Sequence, residues 1–142
     1  MTEVEIFWPA SLPSDPALEA EAVLREAGVE ATCRLQPVRR GSEAVVVLLT
    51  TAALEPFFGA FFGRLGGEVW AGLHNLVDHL LKRTGGQPGP QSVIFESARS
   101  GARFVFTTGL PADAFRKAIE IDPGPGKSQW AWDAKNSSWL RF

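Results

Sequence analysis

The sequence has no tyrosine, one cysteine, one methionine and two histidines. A single cysteine cannot form an internal disulfide, so a disulfide-stabilised fold is excluded. The chain also lacks a large excess of positive or negative charge, because its formal net charge is only −2. Without a basic field the chain is not expected to bind nucleic acid independently of sequence. The expected partners are therefore proteins or small molecules.

Neither an export signal nor a membrane span is expected. The N-terminus lacks the basic start and apolar run of a signal peptide, which predicts a cytoplasmic location. Residues 44–63 are apolar over about the length of a bilayer crossing. Glu55-Pro56 lies near the centre of this stretch, where a charge costs about 2.5–3.5 kcal/mol on insertion scales. A membrane span is therefore not expected.

What is present is an ordinary globular composition. The chain has 142 residues, of which 45% are hydrophobic and 21% are charged. A chain of this size buries about two-thirds of the surface that its unfolded form exposes, which is enough for a hydrophobic core. We therefore expect one domain that includes residues 1–142. No internal repeat is visible.

Periodic patterns predict the strands. Residues 3–8 and 29–36 alternate between two faces, as half-buried strands do. The β-branched run in residues 44–49 predicts a strand buried on both faces. A hairpin with Ser100-Gly101 as its two-residue turn would place Glu96 and Arg103 as diagonal neighbours on one face. Residues 129–142 predict a last hairpin.

Helical spacing predicts the helices. A first helix begins at Ser14 or Asp15, with Val23 on its inner stripe, and a well-patterned helix covers residues 69–81. Two further helices are expected, a phenylalanine-rich one after residue 49 and a short one at 111–120. The predicted fold is α/β, more narrowly an α+β sandwich, with a mixed or antiparallel sheet and helices mainly on one face.

No chemical motif is complete. Gly126-Lys127-Ser128 looks like the end of a phosphate-binding loop, but a strand follows it where a helix is needed. His74 and Asp78 share a helix face without a third metal ligand, so with His79 they are predicted to be inert residues on a solvated surface. Cys33 is predicted to face inward as a small hydrophobe, like Leu35 on the same strand. No catalytic residue, cofactor site or metal site is predicted.

The least ordinary feature is the aromatic content, five tryptophans and ten phenylalanines. If Lys135-Asn136 forms the turn of the last hairpin, Trp132 lies opposite Trp139 and Trp130 lies opposite Arg141. This face is either an exposed platform for a partner or a plug of the core. Together with the phenylalanine-rich helix it defines the candidate interaction surface, which consists of Phe57, Phe58, Phe61, Phe62, Trp130, Trp132, Trp139 and Arg141.

The order of segments resembles that of the effector-associated constant component proteins of bacteria. The resemblance rests on Val4-Glu5-Ile6-Phe7, on Leu24-Arg25, on Leu80-Leu81-Lys82-Arg83 and on the hairpin in residues 93–108. It covers roughly residues 4–108 and includes no catalytic residue. Members of that family are thought to couple components of bacterial conflict systems, so the resemblance implies an adaptor.

The favoured hypothesis is a non-enzymatic protein-interaction module or adaptor, with a bacterial conflict or defence system as its candidate setting. The expected partner is another protein of unknown identity, and the alternative is a homo-oligomer. One alternative is a binder of small apolar ligands with a pocket between the phenylalanine-rich helix and the sheet, walled by Trp70 or Trp8. A toxin-neutralising immunity protein is a further alternative.

Overall fold

The computed structural model describes residues 3–9, 15–26, 30–36, 44–49, 69–81, 92–121 and 127–141. Within these residues the chain forms seven strands and three helices. In chain order they are β1 (Glu3–Pro9), α1 (Asp15–Glu26), β2 (Glu30–Gln36), β3 (Ala44–Leu49), α2 (Val69–Leu81), β4 (Ser92–Ser97), β5 (Arg103–Thr107), α3 (Ala112–Glu120), β6 (Gln129–Asp133) and β7 (Ser138–Arg141).

The strands form one mixed sheet in the order β2-β1-β3-β4-β5-β6-β7. Parallel and antiparallel pairs alternate across it: β1 is parallel to β2 and antiparallel to β3, and the alternation continues to β7. The three described helices pack side by side, with α2 between α1 and α3. The architecture is the α+β sandwich that the sequence predicts.

One face of the sheet carries the core beneath the helices. It is lined by alternate residues of the central strands, among them Val4, Ile6, Trp8, Val45, Val47, Phe95, Phe104 and Phe106, all at most 1% exposed. From the helices, Leu24, Leu73 and Phe115 meet this face and are themselves buried. Strand alternation therefore produces one fully buried face, and side chains on the opposite face of the central strands are only partly buried.

The structure contradicts two predictions about burial, one for β3 and one for Leu35 and Val23. β3 has one buried face and one partly buried face, because the described helices cover only one side of the sheet. Leu35 is 64% exposed and Val23 is 48% exposed, although both were expected to face inward. Leu35 lies on β2, the last strand of the described sheet, and Val23 lies beside the buried face of α1.

The β4–β5 hairpin has a wider loop than predicted. Phe95 pairs with Phe104 and Glu96 pairs directly with Arg103, so the register differs by two residues from that of a Ser100-Gly101 turn. The faces are unchanged, because a shift of two residues preserves the alternation. Ser97 Oγ accepts hydrogen bonds from the backbone N–H groups of Arg99 and Ser100 at 3.2 Å. Gly101 has φ +80°, a left-handed conformation that favours glycine.

None of the described helices is long and apolar enough to cross a bilayer.

Cys33 is partly buried, and its surroundings disfavour the thiolate form. Burial raises the pKa of the Cys33 thiol, and the nearby Glu21 carboxylate raises it further. Since the thiolate is the reactive form, a raised pKa lowers its fraction at any given pH near neutrality. We expect slow labelling by a thiol reagent in the folded protein and fast labelling after denaturation in urea. Rapid labelling of the folded protein would contradict this placement.

A pair of matched variants separates the two causes. Glu21→Gln removes the carboxylate near Cys33 and should shift the pH profile of labelling toward lower pH. Glu19→Gln lies on the same helix but is not among the causes of the shift, so its profile should match that of the wild type.

Candidate interaction surfaces

The C-terminal hairpin has the predicted register. Trp132 pairs with Trp139 and Trp130 pairs with Arg141, with four residues, 134–137, between the strands. Lys135 and Asn136 lie at the centre of this loop. Asp133 fixes the loop by accepting hydrogen bonds from the Lys135 backbone N–H at 3.0 Å and from Asn136 Nδ2 at 2.6 Å.

Trp139 belongs to the core and not to an exposed platform. It is 8% exposed, and its ring centroid lies 5.0 Å from that of Phe106 and 5.9 Å from that of Trp132. Its indole Nε1–H donates a hydrogen bond of 2.8 Å to the carbonyl oxygen of Ala114 in α3. The indole therefore joins β7 to the helix layer. This agrees with the alternative in which Trp139 fills the core.

Trp130 and Trp132 are partly buried and pack at the edge of the core. Trp130 stacks on Phe104 at 6.1 Å and donates from Nε1 to Ser128 Oγ at 3.0 Å. Lys117 of α3 places its ammonium 5.8 Å from the centre of the Trp132 ring. Arg141 is exposed, and within the described residues it takes part in no cation–π contact with these indoles. Of the predicted platform, Arg141 is therefore exposed, and Trp130 and Trp132 are only partly exposed.

The other half of the predicted surface, Phe57, Phe58, Phe61 and Phe62, lies outside the described residues. So does the predicted pocket between that helix and the sheet. Of the two tryptophans expected to wall such a pocket, Trp8 is 1% exposed and belongs to the core. Trp70 is partly buried on α2, with the Arg116 guanidinium 4.5 Å from its ring centre.

The sequence predicted that His74 and His79 lie on a solvated helix face, but both side chains are partly buried. His74 stacks on Phe115 at 4.3 Å, and its Nε2 lies 3.1 Å from Asp78 Oδ2. His79 Nε2 lies 3.0 Å from Glu19 Oε2, so it joins α2 to α1. Both imidazoles are partly buried between helices, whereas Asp78 is exposed. In the part of the chain that the structure describes, no group of three or more His, Cys, Asp or Glu side chains is arranged to hold a metal.

Two cavities are described on the surface. A cavity of about 190 Å³ lies between α1 and α2 and is lined by Ala20, Val23, Gly72, Asn75, Leu76 and His79. A more polar one of about 410 Å³ lies beside the β4–β5 loop and is lined by Glu96, Gly101, Arg103, Lys127, Ser128 and Gln129. Neither cavity includes Trp8 or Trp70.

The β2 edge of the described sheet is a surface that sequence reasoning missed. β2 ends the described sheet, and its seven residues pair with β1 without a bulge. Glu30, Thr32, Arg34 and Leu35 are all exposed along it. The alternating pattern predicted the strand correctly, but it contained no signal that the strand lies at an edge, because strand order depends on long-range pairing. The high content of exposed polar residues on one face was the available hint.

Comparison of the chain with protein-family models, with curated proteins and with solved structures gave no match.

Removing Trp139 should destabilise the fold more than removing Trp132. Trp139→Ala should lower the free energy of unfolding by about 3–5 kcal/mol, the usual range for a large aromatic core residue. Trp139→Phe keeps most of the ring packing and removes the bond to the Ala114 carbonyl, at a cost of about 1 kcal/mol beyond the lost contacts. Urea unfolding measures each value. Equal losses for Trp132→Ala and Trp139→Ala would contradict the burial difference.

His74→Ala should cost about 1 kcal/mol or somewhat more, because it removes a ring that stacks between Trp70 and Phe115. Asp78→Ala serves as the control: its side chain is exposed, and its effect should stay within about 0.5 kcal/mol. Thermal or urea unfolding of the two variants tests this order. If neither variant differs from the wild type, His74 behaves as the surface residue that the sequence predicted.

Proposed function

We propose that the chain is a non-enzymatic protein-interaction module whose docking surface is the free edge of β2. The observation that carries this proposal is the exposure of β2 at the end of the described sheet, with Leu35 64% exposed on it. An edge strand presents unpaired backbone N–H and C=O groups to which another extended chain can add. The adaptor role that the family resemblance implies, and a cytoplasmic location, belong to the same proposal.

The length of β2 supports the proposal. Proteins usually protect sheet edges with short strands, bulges or covering segments, since a long regular edge invites pairing with another chain. β2 has seven residues in continuous register with β1. A strand of this length offers enough backbone groups for stable pairing, and the exposed Leu35 adds apolar area.

The opposite edge of the sheet is a weaker candidate. β7 has four residues, and its Trp139 is held inward by the bond to α3. Leu140 is 45% exposed on this strand. The two edges therefore offer matched variants, an exposed leucine on each, of which only Leu35 lies on the proposed surface.

A second candidate function rests on the cavity between α1 and α2. Its lining is mostly apolar, but its volume of about 190 Å³ is below the range of about 300–1,000 Å³ that is typical of small-molecule sites. A single apolar side chain or a very small ligand would fit there. Binding at this cavity would depend on Val23 and Leu76 and would be unaffected by changes on β2.

The experiment compares wild type, Leu35→Lys and Leu140→Lys. We measure solution mass by light scattering and the recovery of binding proteins from a bacterial lysate. Leu35→Lys should abolish the association that the wild type shows, with itself or with another protein, because it puts a solvated charge on the docking edge. Leu140→Lys should leave that association intact.

Two outcomes would refute the proposal: a wild type that associates with nothing, or an association that both variants retain. Circular dichroism of each variant establishes that lost association does not reflect unfolding. Both leucines are exposed, so neither substitution should change stability greatly.

A further inference from the structure

We propose that the occupant of the β2 edge is a second copy of this chain, joined by antiparallel β2–β2 pairing centred on Thr32. This inference rests on the proposed function and names the partner. The two sheets would continue into one another across a two-fold axis, with both helix layers on the same side. Each Thr32 would lie opposite Thr32 of the second copy, and residue pairs would follow with numbers that sum to 64.

The charges on β2 are complementary to themselves in this register. Glu30, Thr32 and Arg34 alternate along the strand and share the face of the sheet opposite the described helices. Pairing about Thr32 places Glu30 of one copy opposite Arg34 of the other, twice by symmetry. Opposite charges and paired threonines are both favourable as direct cross-strand neighbours. A symmetric interface needs such a self-complementary patch.

The isolated chain leaves this charge pattern incomplete. Arg34 Nη2 lies 3.3 Å from Glu5 Oε1 on the neighbouring strand. Among the described residues, no cationic side chain forms an ion pair with Glu30. In the pair of copies, Arg34 would lie between Glu5 of its own chain and Glu30 of the second copy, so Glu5 would keep its cation and Glu30 would gain one.

Exposed apolar residues lie on the helix side of the same edge. α1 packs against β2, and the Glu21 carboxylate of α1 raises the pKa of the Cys33 thiol of β2. Leu18 precedes Glu21 by three residues, so it lies on the same side of α1. Leu18 is 54% exposed and Leu35 is 64% exposed. The two-fold axis would bring this side of each α1 toward its copy, where such exposed leucines can be covered.

The neighbouring symmetric register is less favourable. Pairing about Cys33 would place Thr32 opposite Arg34 and Glu30 opposite Gln36, so no pair of opposite charges would form. Antiparallel pairing with both faces preserved admits only registers in which the paired numbers sum to an even value, because alternate residues share a face. The charges of Glu30 and Arg34 therefore select the register centred on Thr32.

The test uses two charge reversals, Glu30→Arg and Arg34→Glu, each studied alone and then mixed. Each variant alone places like charges opposite one another at both ends of the pairing, so each should remain a monomer of 15.4 kDa. In the mixture, one chain carries two arginines and the other two glutamates, and both cross-strand pairs are restored. We expect a mixed dimer of twice that mass, measured by light scattering, and a wild type that dimerises with itself.

The mixture is also a control for folding, because variants that had unfolded would not regain association when combined. The inference is overturned if the wild type stays monomeric at millimolar concentration, if either variant alone still dimerises, or if the mixture fails to associate. A monomeric wild type that binds a lysate protein through Leu35 would overturn the second copy as occupant and leave the proposed function standing. A wild type that neither dimerises nor binds a lysate protein would refute this inference and the proposed function together.

Discussion

The indole of Trp139 is the contact on which the C-terminal half of the sheet depends. Its N–H group binds the Ala114 carbonyl in α3, while its ring contacts Phe104, Phe106 and Trp132. Through Phe106 it connects to a continuous series of ring contacts that joins helices and strands, formed by Trp70, His74, Phe115, Phe106, Trp139 and Trp132. This series explains why aromatic residues are so abundant near the end of the sequence. They attach the last two strands to α3 of the helix layer.

That arrangement makes the two edges of the sheet unequal. The β7 edge is short and is held from within by Trp139, so it presents few backbone groups. The β2 edge is longer, regular and exposed, and α1 covers only part of its helix side, as the half-buried Cys33 and the exposed Leu35 demonstrate. An open sheet must end somewhere, and here the described structure leaves the longer end available. The proposed interaction surface follows from this asymmetry.

The face of the sheet opposite the described helices has a different character. It combines partly buried apolar residues such as Val46, Ile94 and Val105 with the ion pairs Glu96–Arg103 and Glu5–Arg34. Charges on an exposed edge commonly discourage unwanted pairing, because most chains cannot match them. A second copy of the same strand is an exception when the charges are self-complementary. The same pattern would then exclude other partners and admit its own copy, which is how specificity arises from charge placement.

Local patterns in the sequence determined the elements, and in the last hairpin they determined the register as well. Alternation predicted β1 and β2, helical spacing predicted α2, and position sums predicted the pairing of Trp132 with Trp139, because these features depend on residues close in the chain. The sequence could not determine which strand lies at an edge. Leu35 and Val47 both occupy inward positions of strands, yet one is exposed and the other buried. Burial requires a neighbour on both sides and a helix above, and only the tertiary pairing of distant segments supplies them.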